Sequence, residues 1–172
     1  TKHRSPDWAK SSTDSAMPNL LRHLPNALTC CNLICGCIAT AAALDGRLMT
    51  AVALLFAAVA FDFVDGLAAR LLHAASPIGK DLDSLADVVS FGLAPAAMLH
   101  RLFVDLSLLG PDATLPLPLS ILATVAVLTI PVGSALRLAK FNNDARQTTS
   151  FIGLPVPAHA IFWSSLLASL AR

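Results

Sequence analysis

Apolar stretches of near-membrane length recur along this chain, and no other feature narrows its possible folds as far. A helix crossing a bilayer needs about 20 predominantly apolar residues, within a range of roughly 17 to 25. The first stretch is ALTCCNLICGCIATAAAL, residues 27 to 44, preceded by Pro25-Asn26 and followed by the turn pair Asp45-Gly46. The second begins near Arg47, reads LMTAVALLFAAVAFDFVDGLAARLLH, and stops at the break Ser76-Pro77-Ile78-Gly79. The third runs from near Gly79 to about Leu109. Pro95 is expected to kink it, because proline removes one helical hydrogen bond and crowds the preceding turn. A fourth follows GPDATLPLPLS and ends at Phe141, with Pro131 and Gly133 in mid-span. After the loop NNDARQTTSFIGLPVPAH, the segment AIFWSSLLASLAR supplies a short fifth span. Composition agrees: 55% of side chains are hydrophobic and 13% charged, with no tyrosine and no glutamate among 172 residues. The expected fold is all-α, a polytopic transmembrane helical bundle with five visible spans. Residues 1–25 read as a tail with an interfacial segment, and residues 26–172 as the membrane domain.

The net charge of +1, with no basic run interleaved with aromatics, excludes nucleic acid as a partner. Cys30, Cys31, Cys35 and Cys37 all fall in the first span, a pattern that fits helix packing better than a disulfide framework or a zinc site. His73, His100 and His159 stand apart without metal-ligand spacing, and Trp8 and Trp163 read as surface or interfacial aromatics. The start, TKHRSPDWAKSSTDSAMPNL, lacks the charged-then-apolar order of a signal peptide and reads as a flexible tail. AMPNLLRHLPNAL is expected to lie as a short interfacial helix against lipid headgroups. With the amino terminus inside, nine of twelve basic residues fall on the cytoplasmic side: Lys2, Arg4, Lys10, Arg22, Arg70, Lys80, Arg137, Lys140 and Arg146. Arg47 and Arg101 fall on the other.

Against this background the stretch FDFVDGLAARLLHAASPIGKDLDSLADVVSF carries Asp62, Asp65, Asp83 and Asp87. Residues three or four apart share a helix face, which groups Asp62, Asp65, Gly66 and Ala69 on the second span and Gly79, Asp83 and Asp87 on the third. Four carboxylates at membrane depth cost on the order of 10 kcal/mol, so something cationic must offset them. Hard oxygen ligands without histidine or cysteine select magnesium, manganese or calcium over zinc. Four such ligands can hold two ions, an arrangement suited to phosphoryl chemistry. Gly66 and Gly79 would let a diphosphate approach the backbone, and Arg70 would add a charged fork. The same aspartates also admit an ion pathway, or simple pairing of Asp62 or Asp65 with Arg70 or Lys80.

The full spacing, Asp-x2-Asp-Gly-x2-Ala-Arg-x8-Gly-x3-Asp-x3-Asp over residues 62–87, resembles the signature of the CDP-alcohol phosphotransferase family. The stretches PNALTCCNLICGCIA, DSLADVVSFGLAPA, ALRLAKFNN and FIGLPVPA resemble its bacterial phosphatidylserine synthase branch, and together they cover most of residues 24–158. The resemblance implies an integral membrane enzyme, usually dimeric and six-helical, in the bacterial cytoplasmic membrane with its site facing the cytoplasm. It would use two Mg2+ or Mn2+ ions to move the phosphatidyl group of CDP-diacylglycerol to L-serine, releasing CMP. On this similarity Asp62, Asp65, Asp83 and Asp87 bind metal, and Asp87 is also the general base that activates the serine hydroxyl. Gly66, Arg70 and Gly79 hold the CDP portion, with Thr29 and Asn32 as further candidates. Arg137, Lys140 and Asn142 are expected to bind serine. Two departures stand out: the sequence stops where relatives continue into a sixth helix, and Lys140 stands where that branch more often has arginine, losing bidentate geometry. Glycerol 3-phosphate or an inositol phosphate would be the nearest alternative acceptors, and cation transport an alternative of another class.

Overall fold

The structure is a computed structural model that describes residues 23–74, 76–109, 111, 114–143 and 156–170. Among these there are five helices and no strand. Helix α1, Leu24–Leu44, carries Pro25 in its first turn, where the missing N–H costs nothing, so it starts earlier than the expected residue 27. Gly46, at φ +80°, turns the chain into α2, Leu48–Leu71. Helix α3, Pro77–Asp105, opens on Ser76, whose Oγ accepts from the Gly79 N–H at 3.0 Å. Helix α4 spans Leu117–Asn143 and α5 spans Val156–Leu170.

Several element limits differ from the sequence expectation, and proline chemistry accounts for most of the difference. The third span is not simply kinked at Pro95. It holds a π-helical segment, Val88–Leu93, between α-helical parts Pro77–Asp87 and Ala94–Asp105. Pro95 has no N–H for the Phe91 carbonyl, and its ring crowds that turn, so the strain is taken up as a widened turn on its N-terminal side. The span ends at Asp105 rather than near Leu109. Helix α4 begins at Leu117, taking in the last four residues of the expected loop, with Pro118 in its first turn, and continues through Asn142 and Asn143. Helix α5 likewise starts at Val156, within the expected loop, and reaches 15 residues. The amino-terminal tail with Trp8 and Arg22, and Arg146 with its loop, lie outside the described residues.

Helices α1 to α4 are each long and apolar enough to cross a membrane, which makes this a multi-pass membrane protein. Helix α1 is the centre of the bundle: it lies along α2 and touches all three parts of α3, while α4 and α5 pack on the π segment from other sides. The core between them is built largely from small side chains, including Ala39, Ala42, Ala43, Ala51, Ala58, Ala94 and Ala97, around Leu55, Phe91 and Met98. Between membrane helices the hydrophobic effect contributes little, so close backbone approach through small residues is what holds such a bundle. Ile34, Ile38, Phe56, Phe63, Ile121, Leu122 and Leu128 point outward, as lipid contact requires. Helix α3 is the most enclosed span and α4 the least.

Candidate active site

Up-and-down topology brings the start of α1, the end of α2, the start of α3 and the end of α4 to one face of the bundle. The opposite face holds the Gly46 turn, against which Arg101 packs while pairing with Asp105 at 2.6 Å. All four signature aspartates belong to the first face. Carboxylate oxygens of Asp62, Asp83 and Asp87 lie within 4.8 Å of one another, so both halves of the signature converge as the spacing implied. Their helices meet across a gap, because α1 rather than α2 is the neighbour of the first part of α3.

Asp65 differs from the other three. It is buried beside α1, where the Thr29 hydroxyl lies 2.6 Å from its Oδ2 and 3.0 Å from the Pro25 carbonyl. A hydroxyl has one proton to give, and the shorter contact to a carboxylate takes it. Asp65 therefore borders the cluster from the cavity side. Asp87, also buried, faces Asn32, whose Nδ2 donates to Asp87 Oδ1 at 3.4 Å. Asp83 Oδ1 is buried without a hydrogen-bond partner.

Among the described residues, no lysine or arginine forms an ion pair with any of the four. The alternative reading, in which Asp62 or Asp65 simply pairs with Arg70 or Lys80, is thus not what the structure shows. Three mutually repelling carboxylates, one with an orphaned oxygen, form a donor set that fits a hard divalent cation and is costly without one. A carboxylate at membrane depth costs roughly 2.5 to 3.5 kcal/mol by itself.

Next to the cluster is a cavity of about 200 Å³ lined by Pro25, Asn26, Thr29, Asp65, Gly66, Ala69, Ala74, Ser76, Gly79, Lys80 and Asp83. Gly66 and Gly79 both border it, as expected. A Cβ at Gly66 would meet nothing within 4 Å, so the glycine leaves bare backbone facing open space. At Gly79 a Cβ would crowd Asn26 Oδ1 at 2.9 Å. Ser76, Gly79 and Lys80 bring the N-terminal end of α3 to this space, where the helix dipole and the lysine charge together favour an anion. Arg70 is exposed at the end of α2 and does not line the cavity. Asn32 is fully buried and does not line it either. Asn26 and Lys80 were the residues that sequence reasoning missed: Asn26 reads as a helix-breaking neighbour of Pro25, and Lys80 as a boundary charge.

Helix α4 is anchored to α3 at two points. Gly92 lies so close to Ser134 that a Cβ would sit 3.2 Å from the serine Cβ. Nearer the site, Asn142 Nδ2 donates to Ser84 Oγ at 2.7 Å, and Lys80 Nζ donates to the Asn142 carbonyl at 3.2 Å. The anchors are eight residues apart on each antiparallel helix, so the register between them does not slip. Half-buried Arg137 lies on α4 between these two anchors. Lys140 is exposed, and the Asn142 side chain is engaged with Ser84.

Curated relatives are similar to this chain over most of its length. The CDP-diacylglycerol–serine O-phosphatidyltransferase of Bacillus subtilis is 35% identical over 137 residues, which are 80% of this chain and 71% of that protein. The enzyme of the same name from Mycobacterium leprae is 37% identical over 155 residues, 86% of this chain and 47% of its own. The archaetidylserine synthase of Methanothermobacter thermautotrophicus is 35% identical over 147 residues, 83% of this chain and 56% of its own. The chain spans about half the length of the latter two. No solved structure matches it significantly. The family model described as CDP-alcohol phosphatidyltransferase matches residues 22–171, nearly the whole chain, and the chain therefore belongs to that family.

Proposed function

We propose that the protein transfers the phosphatidyl group of CDP-diacylglycerol to the hydroxyl of L-serine, giving phosphatidylserine and CMP, at the cytoplasmic face of a bacterial inner membrane. The observation that carries this reading is the convergence of Asp62, Asp83 and Asp87, without a counter-ion among the described residues, beside a cavity bordered by Gly66 and Lys80. The choice of serine rests on the similarity to serine-using relatives.

Asp62, Asp83 and Asp87, with Asp65 on the cavity side, would hold two Mg2+ or Mn2+ ions. When bound, such ions neutralise phosphate oxygens and stabilise the charge of the leaving group. The chain's own groups do the rest. Thr29 fixes Asp65, and Gly66 and Gly79 leave room at the backbone for the diphosphate. Lys80 and the α3 N-terminus attract its charge, while Arg70 stands one turn beyond Gly66 to meet the outer part of the nucleotide. Asp87 takes the proton of the serine hydroxyl as that oxygen attacks the phosphorus bearing diacylglycerol. The bond from that phosphorus to the CMP oxygen breaks, and CMP departs. Arg137, half-buried on α4 between its two anchors to α3, holds the serine carboxylate. Lys140 and Asn142 close that side, with Asn142 acting through its bond to Ser84. The open outer face of α4 supports a homodimer.

Purified protein in detergent, supplied with CDP-diacylglycerol, Mn2+ or Mg2+ and one alcohol at a time, tests the proposal. CMP release is expected with serine and not with glycerol 3-phosphate or an inositol phosphate. Asp87→Asn is expected to abolish release while still binding donor. Release with another alcohol but not serine would overturn the acceptor, and undiminished turnover in Asp87→Asn would remove it as base.

A further inference from the structure

Asn32 makes an unusual set of contacts for a buried membrane asparagine. Its side chain has no solvent exposure, its Nδ2 faces Asp87 Oδ1 at 3.4 Å, and its Oδ1 has no hydrogen-bond partner. Its backbone carbonyl accepts from Ser90 Oγ at 3.1 Å. One turn further on α1, Gly36 lets Ser90 come so close that an added Cβ would sit 2.3 Å from the serine Oγ. Helix α1 is therefore clasped to α3 one turn beyond Asp87, at the level where Asn32 reaches that carboxylate. An asparagine retained only to join helices gains most when both ends of its amide are paired. Here one end is spent on a carboxylate and the other is left desolvated, an arrangement that favours the carboxylate rather than the packing.

We propose that Asn32 is a positioning residue for Asp87: its amide N–H holds one oxygen of that carboxylate in place, leaving the second for the acceptor's proton, and Ser90 and Gly36 set the depth of Asn32. This rests on the reading of Asp87 as general base. It also differs from the sequence expectation of a CDP contact, since Thr29 and Asn26 face the cavity and Asn32 lies behind them.

The test uses the full chain with Asn32→Ala, Asn32→Asp and Ser90→Ala, and measures kcat, KM for CDP-diacylglycerol, Mn2+ affinity by calorimetry, and Tm without metal. Asn32→Ala and Asn32→Asp are both expected to lower kcat by about 10- to 100-fold, the usual effect of losing a group that orients another. Donor KM and Mn2+ affinity in Asn32→Ala stay within about twofold, and its Tm within about 3 °C. Ser90→Ala, which keeps the amide but loosens the clasp, loses less kcat than Asn32→Ala. A raised donor KM at unchanged kcat would make Asn32 a donor ligand and overturn the inference. So would a large fall in Tm with unchanged kcat, which marks packing alone, or loss of Mn2+ binding, which marks a cation ligand. If the parent protein releases CMP only with another alcohol, the acceptor assignment fails and the same comparison is made with that alcohol. If it releases none with any, both proposals fall.

Discussion

An added methyl group at position 36 would lie 2.3 Å from Ser90 Oγ and 2.7 Å from Ser90 Cα, whereas at position 66 it would meet nothing within 4 Å. The first glycine serves packing, and under the proposed function the second leaves room for the donor's diphosphate. Gly66→Ala should therefore fold as well as the parent, since alanine gains up to about 1 kcal/mol of helix propensity. Its KM for CDP-diacylglycerol should rise by roughly tenfold or more, because a methyl group would occupy space the diphosphate needs at the backbone. Steady-state kinetics with a thermal melt checks this, and an unchanged KM would place the diphosphate elsewhere. At this scale the aspartates were readable, because spacings of three and four put each pair on a shared helix face whatever the rest of the fold does. The contacts that refine them were not. Thr29 with Asp65 and Asn32 with Asp87 are 36 and 55 residues apart in sequence, and they depend on how α1 is rotated against its neighbours.

Among the elements, α3 does the most for the site. Its first part carries Asp83 and Asp87, its π segment carries Ser90 and Gly92, and these two residues meet α1 and α4 respectively. The widened turn just before Pro95 thus falls where three helices touch. Gly36→Ala pushes α1 off this segment, because the clash includes Ser90 Cα and no rotamer change relieves it. Overpacking of this kind costs about 1 to 3 kcal/mol. Gly36→Ala should accordingly lower Tm and, by moving Asn32 away from Asp87, lower kcat as well. A variant with normal Tm and kcat would show that α1 and α3 do not approach so closely. Apolar run lengths located the four long helices, because a bilayer sets a minimum length that few soluble helices need. Helix ends were misjudged wherever proline sat in a first turn, as at Pro25, Pro118 and Pro157, since the residue that breaks a helix interior is tolerated at its start.

The whole molecule places its charges by topology. Up-and-down connections bring the acidic halves of α2 and α3 to one end, with α1 wedged between them as the scaffold both rely on. Arg101 and the Gly46 turn lie at the other end, which agrees with the separation of basic residues read from the sequence. That separation was legible because charge bias follows the order of spans alone. The cavity was not, since its walls come from three helices and include Asn26 and Ser76.

Under the proposed function, aspartates from two membrane helices, neutralised by no side chain of the described residues, cage divalent cations. Calorimetric titration of the purified protein with Mn2+, beside Asp62→Asn and Asp83→Asn, tests it most directly. About two ions per chain are expected, with affinity reduced at least roughly tenfold in each variant. Absence of Mn2+ binding, or binding equally tight in both variants, would contradict it.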